Sequence, residues 1–281
     1  MENPSAPVVE TRQGALIGST EGDTHVWCGI PYAAPPVGPW RWRSPRPPAR
    51  WDGVRPATAF SASSWQSSES CQELGGGDPG QFSEDCLYLN VWSPVVRADP
   101  LPVMVWLHGG GFTLGAGGLP PYNGRALAKR GTVVVTINYR LGHLGFFAHP
   151  ALEGEEERVV HNFALLDQIQ ALEWVRDNIA AFGGDPENIT VFGESAGARS
   201  VLSLMASPLA GGLFHKAIVQ SGYTLPDTPR EQAMHKGEAI AAHFGLQNAT
   251  AEQLRAIPPE AFWPLISPLN IAPAPIVGDC V

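Results

Sequence analysis

Beyond residue 100 the hydrophobic positions fall into short runs separated by turns. Leu101–Leu107 is apolar and is followed, after His108, by three glycines, and residues 132–139 form a second run rich in β-branched side chains. Both predict buried strands. Leu165, Ile169, Leu172, Val175 and Ile179 recur at spacings of four, three, three and four, the stripe of an amphipathic helix that Gly183, Gly184, Asp185 and Pro186 bring to an end. Residues 188–192 and Lys216–Gln220 predict two more strands, with helical text from 196 to about 205 between them. Strands alternating with helices imply an α/β fold, a mainly parallel central sheet flanked by helices. The first hundred residues are turn-rich instead. Residues 8–17 predict a hairpin-like pair of short strands, and residues 31–39 hold too much proline for a helix or a central strand.

Composition narrows the function. The chain has 281 residues, 44% hydrophobic and 16% charged, enough to bury a large core around one sheet, so residues 1–281 are read as a single domain. A formal charge of −9 argues against a nucleic-acid partner. No stretch approaches the run of about eighteen apolar residues that spans a bilayer, so no membrane partner is expected. The first residues lack the basic start and apolar segment of a secretory signal, which favours the cytoplasm. Cys28, Cys71, Cys86 and Cys280 have no C-x-x-C spacing and no paired histidines nearby, so no metal and no cofactor are predicted.

The strand at 188–192 runs straight into Gly193-Glu194-Ser195-Ala196-Gly197, a G-x-S-x-G sequence at a strand-to-helix junction. A serine that attacks a carbonyl needs an exposed place on a sharp turn, and Gly193 and Gly197 supply the room for one. The helix behind it begins with free N–H groups, so the Ala196 amide can point at a developing oxyanion. The competing reading is an ordinary turn of small residues. His108-Gly109-Gly110-Gly111-Phe112 follows the Leu101–Leu107 strand. Amides of glycines approach a ligand oxygen closely, so Gly110 and Gly111 complete a three-donor oxyanion hole with Ala196. A phosphate-cradling loop is the alternative, but no G-x-G-x-x-G or G-K-[ST] opens a helix here. His108 reads as a residue that positions this loop.

Phe192-Gly193-Glu194-Ser195-Ala196-Gly197-Ala198 and Glu84-Asp85-Cys86-Leu87-Tyr88-Leu89-Asn90-Val91 resemble the two signatures of the type-B carboxylesterases, the cholinesterase-like branch of the α/β-hydrolases. Asp167-Gln168, Trp174-Val175, Asn178-Ile179 and Phe182-Gly183-Gly184-Asp185-Pro186 extend the resemblance over nearly the whole chain, with His161 and Ala164 where the family more often has glycine. The resemblance implies an α/β-hydrolase fold and hydrolysis of a small-molecule carboxylic ester through an acyl-enzyme on Ser195. It implies a buried carboxylate at Glu194 beside the nucleophile and a supporting hydroxyl at Ser221. It also implies a Cys71–Cys86 disulfide around a glycine-rich loop, which points toward a secreted form rather than the cytoplasm.

A catalytic serine needs a histidine and an orienting acid. After Ser195 the histidines are His215, His235 and His243 and the acids Asp227, Glu231, Glu238, Glu252, Glu260 and Asp279. None is assigned. His215 precedes an apolar strand, and His235 and His243 lie among polar neighbours of a helical stretch. The expectation is therefore a domain incomplete at its C-terminus, ending before its last strands and leaving an apolar sheet edge, with the acid and histidine beyond Val281. The alternative to an esterase is a catalytically incomplete fragment or a non-catalytic binding domain. Phe112, Trp106 and the aromatic-rich first third suggest an apolar preference. The sequence leaves the oligomeric state and the particular ester undefined.

Overall fold

Val133, Val134, Val135, Thr136 and Ile137 are all buried, because their strand lies inside the main sheet with neighbours on either side. The computed structural model of the chain describes residues 6–96, 100–158, 160–222, 224, 228–266 and 272–277. Asp227, Asp279 and Cys280 lie outside the described residues. In chain order the strands are β1 (Val8–Glu10), β2 (Ala15–Ile17), β3 (Ser19–Glu21), β4 (Thr24–Pro31), β5 (Val54–Pro56), β6 (Tyr88–Pro94), β7 (Leu101–Leu107), β8 (Val133–Ile137), β9 (Gly184–Glu194), β10 (Lys216–Gln220), β11 (Thr228–Pro229) and β12 (Ile276–Val277). The helices are α1 (Ser68–Glu73), α2 (Arg125–Ala128), α3 (Gly142–Gly145), α4 (Phe163–Asn178), α5 (Ala196–Ala206), α6 (Arg230–His243) and α7 (Ala251–Arg255).

The main sheet has the order β10-β9-β7-β8-β6-β4-β3. The four strands from β10 to β8 are parallel, while β8, β6, β4 and β3 pair antiparallel. This is an α/β-hydrolase fold with a mixed sheet flanked by helices. The turn-rich first third supplies the antiparallel half, and its long strands β4 and β6 escaped the sequence reading. The hairpin expected at 8–17 is present as β1 and β2, with β5 added in parallel. Within the parallel half the register sets Leu107 against Gly193 and Glu194 against Gln220, so the C-terminal ends of β7, β9 and β10 lie side by side. Ligands of open α/β sheets bind at such carboxyl ends. β10 is the outermost strand of this half, with Ile218 42% exposed.

The stripe predicted for the helix at 165–179 is too narrow. Along α4 the buried residues include Phe163, Ala164, Asp167, Gln168, Ala171 and Trp174 as well as the stripe, because α4 packs against both the sheet and other helices. The helix stops at Asn178, whose Nδ2 donates to Trp174 O and whose Oδ1 accepts from Arg12 N. A 3-10 turn over Ile179–Phe182 follows, and Gly183 at φ 84 redirects the chain into β9, which starts four residues before the predicted strand. Among the described residues no helix is long and apolar enough to cross a membrane.

One ion pair lies inside the core. Arg140 donates from Nε and Nη2 to the two carboxylate oxygens of Asp167 at 2.8 and 2.7 Å, and its backbone N–H reaches Oδ2 at 3.1 Å. The side chains are 3% and 0% exposed, so the pair ties α4 to the segment after β8 where water does not screen it. Removing one partner strands the other charge. Asp167→Asn or Arg140→Met is expected to cost about 3–5 kcal/mol in urea unfolding. The apolar double replacement Arg140→Met with Asp167→Leu should recover most of it. A single variant that unfolds at the parent's midpoint would contradict this account.

Candidate active site

The G-x-S-x-G segment joins β9 to α5 where three backbones meet. Ser195 has φ 52 and ψ −116, a strained conformation for a residue with a side chain. It is anchored from both sides, its N–H donating to Gln220 O at 2.9 Å and its carbonyl accepting from Arg199 N at 3.0 Å. The flanking glycines are steric necessities. A Cβ on Gly197 would lie 2.0 Å from Leu107 O and 2.8 Å from His108 O, and one on Gly193 would lie 2.5 Å from the Gly197 carbonyl carbon. The start of α5 thus rests directly on the end of β7.

The same contact brings the glycine loop to the serine. A Cβ on Gly109 would meet Glu194 Oε2 at 2.7 Å and Ser195 Cβ at 3.3 Å. Gly110 at φ 99 and Gly111 at φ 62 turn the chain, and the N–H groups of Thr113 and Leu114 both close onto Gly110 O. Among the described residues the amides of Gly110, Gly111 and Ala196 have no hydrogen-bond partner within the protein. Three unengaged donors near one serine suit an oxygen that gains negative charge.

His108 lies under this loop, fully buried. Gly109 O can only accept, so the neutral ring carries its proton on Nδ1 and donates at 2.9 Å. The ring stacks on Tyr139, whose hydroxyl donates to His108 O at 2.6 Å. Burial lowers the imidazole from 6.5 to about 4, against the pull of the Gly109 hydrogen bond. These contacts suit the loop-positioning part expected of it.

Ser195, Glu194 and Gly109 to Gly111 border an open cleft of about 450 Å³. Its apolar wall comes from Leu74, Leu114, Leu119 and Tyr122. Phe112 is instead buried against Phe146, and Trp106 packs on Tyr122 and Phe192. The buried carboxylate expected at 194 is corrected: Glu194 ends β9 on the open side and is exposed beside Ser195. Ser221 follows β10 at φ 55, also exposed. The expected disulfide is corrected as well, since Cys71 and Cys86 are free buried thiols. They sit in separate apolar clusters, Cys71 beside Ala116 and Leu119, and Cys86 in the main core with Ser64 near its thiol. Burial pushes both thiols up.

No histidine borders the cleft among the described residues. His215 precedes the first residue of β10, whose partner on β9 is Thr190, so it stands at the opposite end of the strands from Ser195. It accepts there from Ile189 N. His235 and His243 lie on α6, both exposed. Among the described residues no three His, Cys, Asp or Glu side chains come together as metal ligands. Sequence reasoning missed Gln66 and Asn138, buried side chains that hold the glycine loop from outside it. Asn138 Oδ1 accepts from Gly117 N at 2.7 Å, and nothing in the local pattern of either residue announces this.

Comparison with known proteins finds the chain similar to esterases. Residues 5–263 match the model of the carboxylesterase family. The chain is 47% identical over 266 residues to the para-nitrobenzyl esterase of Bacillus subtilis, covering 94% of this chain and 53% of that protein. It is also 47% identical over 254 residues to the fumonisin B1 esterase of Sphingopyxis macrogoltabida, covering 89% and 46%. Among solved structures, a PNB esterase superposes with a TM-score of 0.88 at 44% identity, covering 96% of this chain and 55% of that one. The Geobacillus stearothermophilus carboxylesterase at pH 6.2 gives 0.87 at 45% identity, covering 96% and 55%. The chain spans about half the length of these relatives.

Two expectations follow from the geometry. Gly197→Ala forces a methyl group into the Leu107 carbonyl and should cost about 3 kcal/mol, the upper part of the overpacking range; an unchanged unfolding midpoint would contradict it. The second concerns acid. His108 and His143 are both held down to about 4 by burial, His143 also by nearby Lys236. In the unfolded chain each binds a proton below about 6.5 that the folded state refuses, so stability is full above that pH and falls as pH drops toward 4. Each ring then removes about 1.4 kcal/mol per pH unit. Urea midpoints between pH 6.5 and 5 should fall less steeply in His108→Gln, and a slope equal to the parent's would refute the assignment.

Proposed function

This chain belongs to the carboxylesterase family, and from that premise we propose that it is a serine carboxylesterase that hydrolyses small-molecule carboxylic esters through an acyl-enzyme on Ser195. One observation carries the reading: a serine held at φ 52 at the head of α5, next to three amides, of Gly110, Gly111 and Ala196, that take no partner of the protein's own. Strain of this kind persists only where the surroundings enforce it, and it marks functional sites.

The Ser195 hydroxyl oxygen adds to the ester carbonyl carbon while the carbonyl π pair moves onto oxygen. The oxyanion so formed accepts from the three amides; a single donor of this type is worth about 10²–10³ in kcat. Collapse of the adduct breaks the bond to the alkoxy oxygen, and the alcohol leaves with the proton that the serine gave up. Water then adds to the acyl group in the same way, releasing the acid and restoring Ser195. Leu74, Leu114, Leu119 and Tyr122 favour an apolar ester at the cleft wall. Glu194 at the cleft and Ser221 just after β10 are assigned supporting places, and the described residues are assigned to one α/β-hydrolase domain.

Proton transfer from Ser195 needs a general base. Because no described histidine borders the cleft, a second reading stands beside the first: a chain that holds the nucleophile and the oxyanion donors without the base. Turnover of a para-nitrophenyl ester separates them, measured on the 281-residue chain and on the native polypeptide that carries it. Turnover by both, lost in Ser195→Ala, supports a self-sufficient esterase. Turnover by the native polypeptide alone supports the second reading. Activity that survives Ser195→Ala, or no activity in either, overturns the assignment of Ser195.

A further inference from the structure

We infer that Gln66 is the positioning residue of the oxyanion loop, a role that rests on the ester-hydrolase reading above. Gln66 lies just before α1, in the turn-rich third of the chain, and is 1% exposed. Its side-chain amide engages both polar groups of one loop residue: Oε1 accepts from Gly115 N at 2.8 Å and Nε2 donates to Gly115 O at 2.9 Å. The second hydrogen on Nε2 goes to Ser64 O at 3.1 Å, which holds the amide in place. Ser64 is tied in turn to the core, its hydroxyl accepting from Leu141 N at 3.0 Å beside the Arg140–Asp167 pair.

Gly115 is where such a grip has leverage. It stands at φ 111, and a Cβ there would lie 2.3 Å from His108 Nδ1, so the residue packs directly against the histidine that holds Gly109 O. Between Gly110 and Gly115 the chain makes one tight turn closed on Gly110 O. The other supports of the loop each secure one backbone group: His108 holds Gly109 O, Gly142 N donates to Phe112 O, and Asn138 holds Gly117 N. Gln66 clamps an N–H and a C=O of one residue together, as a neighbouring strand would, and so fixes the orientation of that peptide as well as its place. The Gly110 and Gly111 amides stand within five residues of the clamp. Their aim, more than their presence, decides how well they meet the oxyanion.

Only a side chain carrying a donor and an acceptor on one planar group can do this. A carboxylate of the same shape loses the donor to Gly115 O and regains it when protonated, whereas a thioether of similar size loses both bonds. The test is steady-state kinetics on a para-nitrophenyl ester with the native polypeptide carrying this sequence, as parent, Gln66→Met and Gln66→Glu, each normalised to sites titrated by a fluorophosphonate. Gln66→Met should lower kcat about 100-fold and leave KM within about threefold, because the misaimed donors matter most in the transition state. For Gln66→Glu the ratio of its kcat to the parent's at equal pH should climb as pH falls from about 8 to about 5, as the buried carboxyl takes up its proton. A merely structural role would reduce the titrated sites and leave kcat per site and that ratio unchanged. Either an unchanged kcat per site in Gln66→Met or a flat ratio in Gln66→Glu overturns the inference, and if Gln66→Met does not fold, the ratio alone decides. A parent without turnover overturns the esterase reading and this inference together; an active parent with unaffected variants overturns only the part given to Gln66.

Discussion

The site depends on one backbone contact, that of Gly197 against the carbonyls of Leu107 and His108. Parallel pairing of β7 with β9 brings their C-terminal ends level, and the chain leaving β9 must then turn back as a helix within one residue. With no side chain at 193 or 197 the helix can begin directly on the neighbouring strand end. Ser195 takes the strain of that turn, and its neighbours hold it there through Gln220 O and Arg199 N. The glycine loop leaves β7 at the point where α5 presses on it, so Ser195 and the loop are brought together by the same contact.

A loop of glycines has little conformational preference of its own. Its shape comes from buried polar side chains on other segments: Gln66 and Asn138, with His108 and Tyr139 underneath. Each of these groups is desolvated and would be costly if left unpaired, so the network is stable mainly as a whole. Segments before α1 and after β8 thereby become part of the scaffold of the cleft, and the Arg140–Asp167 pair fastens the second of them to α4.

Two departures from the family resemblance share a physical cause. Cys86 lies in the main core with Ser64 near its thiol, while Cys71 packs in a separate cluster beside the cleft, so the resemblance misjudged which side chains meet. Glu194 ends β9 on its open side, and the chain neighbours that flank it in sequence do not bury it. Burial is a property of what packs from elsewhere, which a motif does not carry.

The strands β7, β8 and β10, the helix α5 and the serine elbow were legible in the sequence because their signals are local. Short apolar runs mark these strands, although β10 at the sheet edge is exposed along its length, and glycine at 193 and 197 around a serine marks a turn whose sterics are settled within five residues. The antiparallel half of the sheet was not legible, since β4 and β6 become strands through pairing with each other and with β8 rather than through any strong pattern of their own. Nor was the grip of Gln66 on Gly115, two residues separated by 49 positions and by two strands. The sequence by itself determined the class of fold, the serine turn and the glycine loop. Only the tertiary structure decided which distant amides and carbonyls hold them, because a hydrogen bond between segments far apart in the chain exists only once the sheet has brought them within about 3 Å.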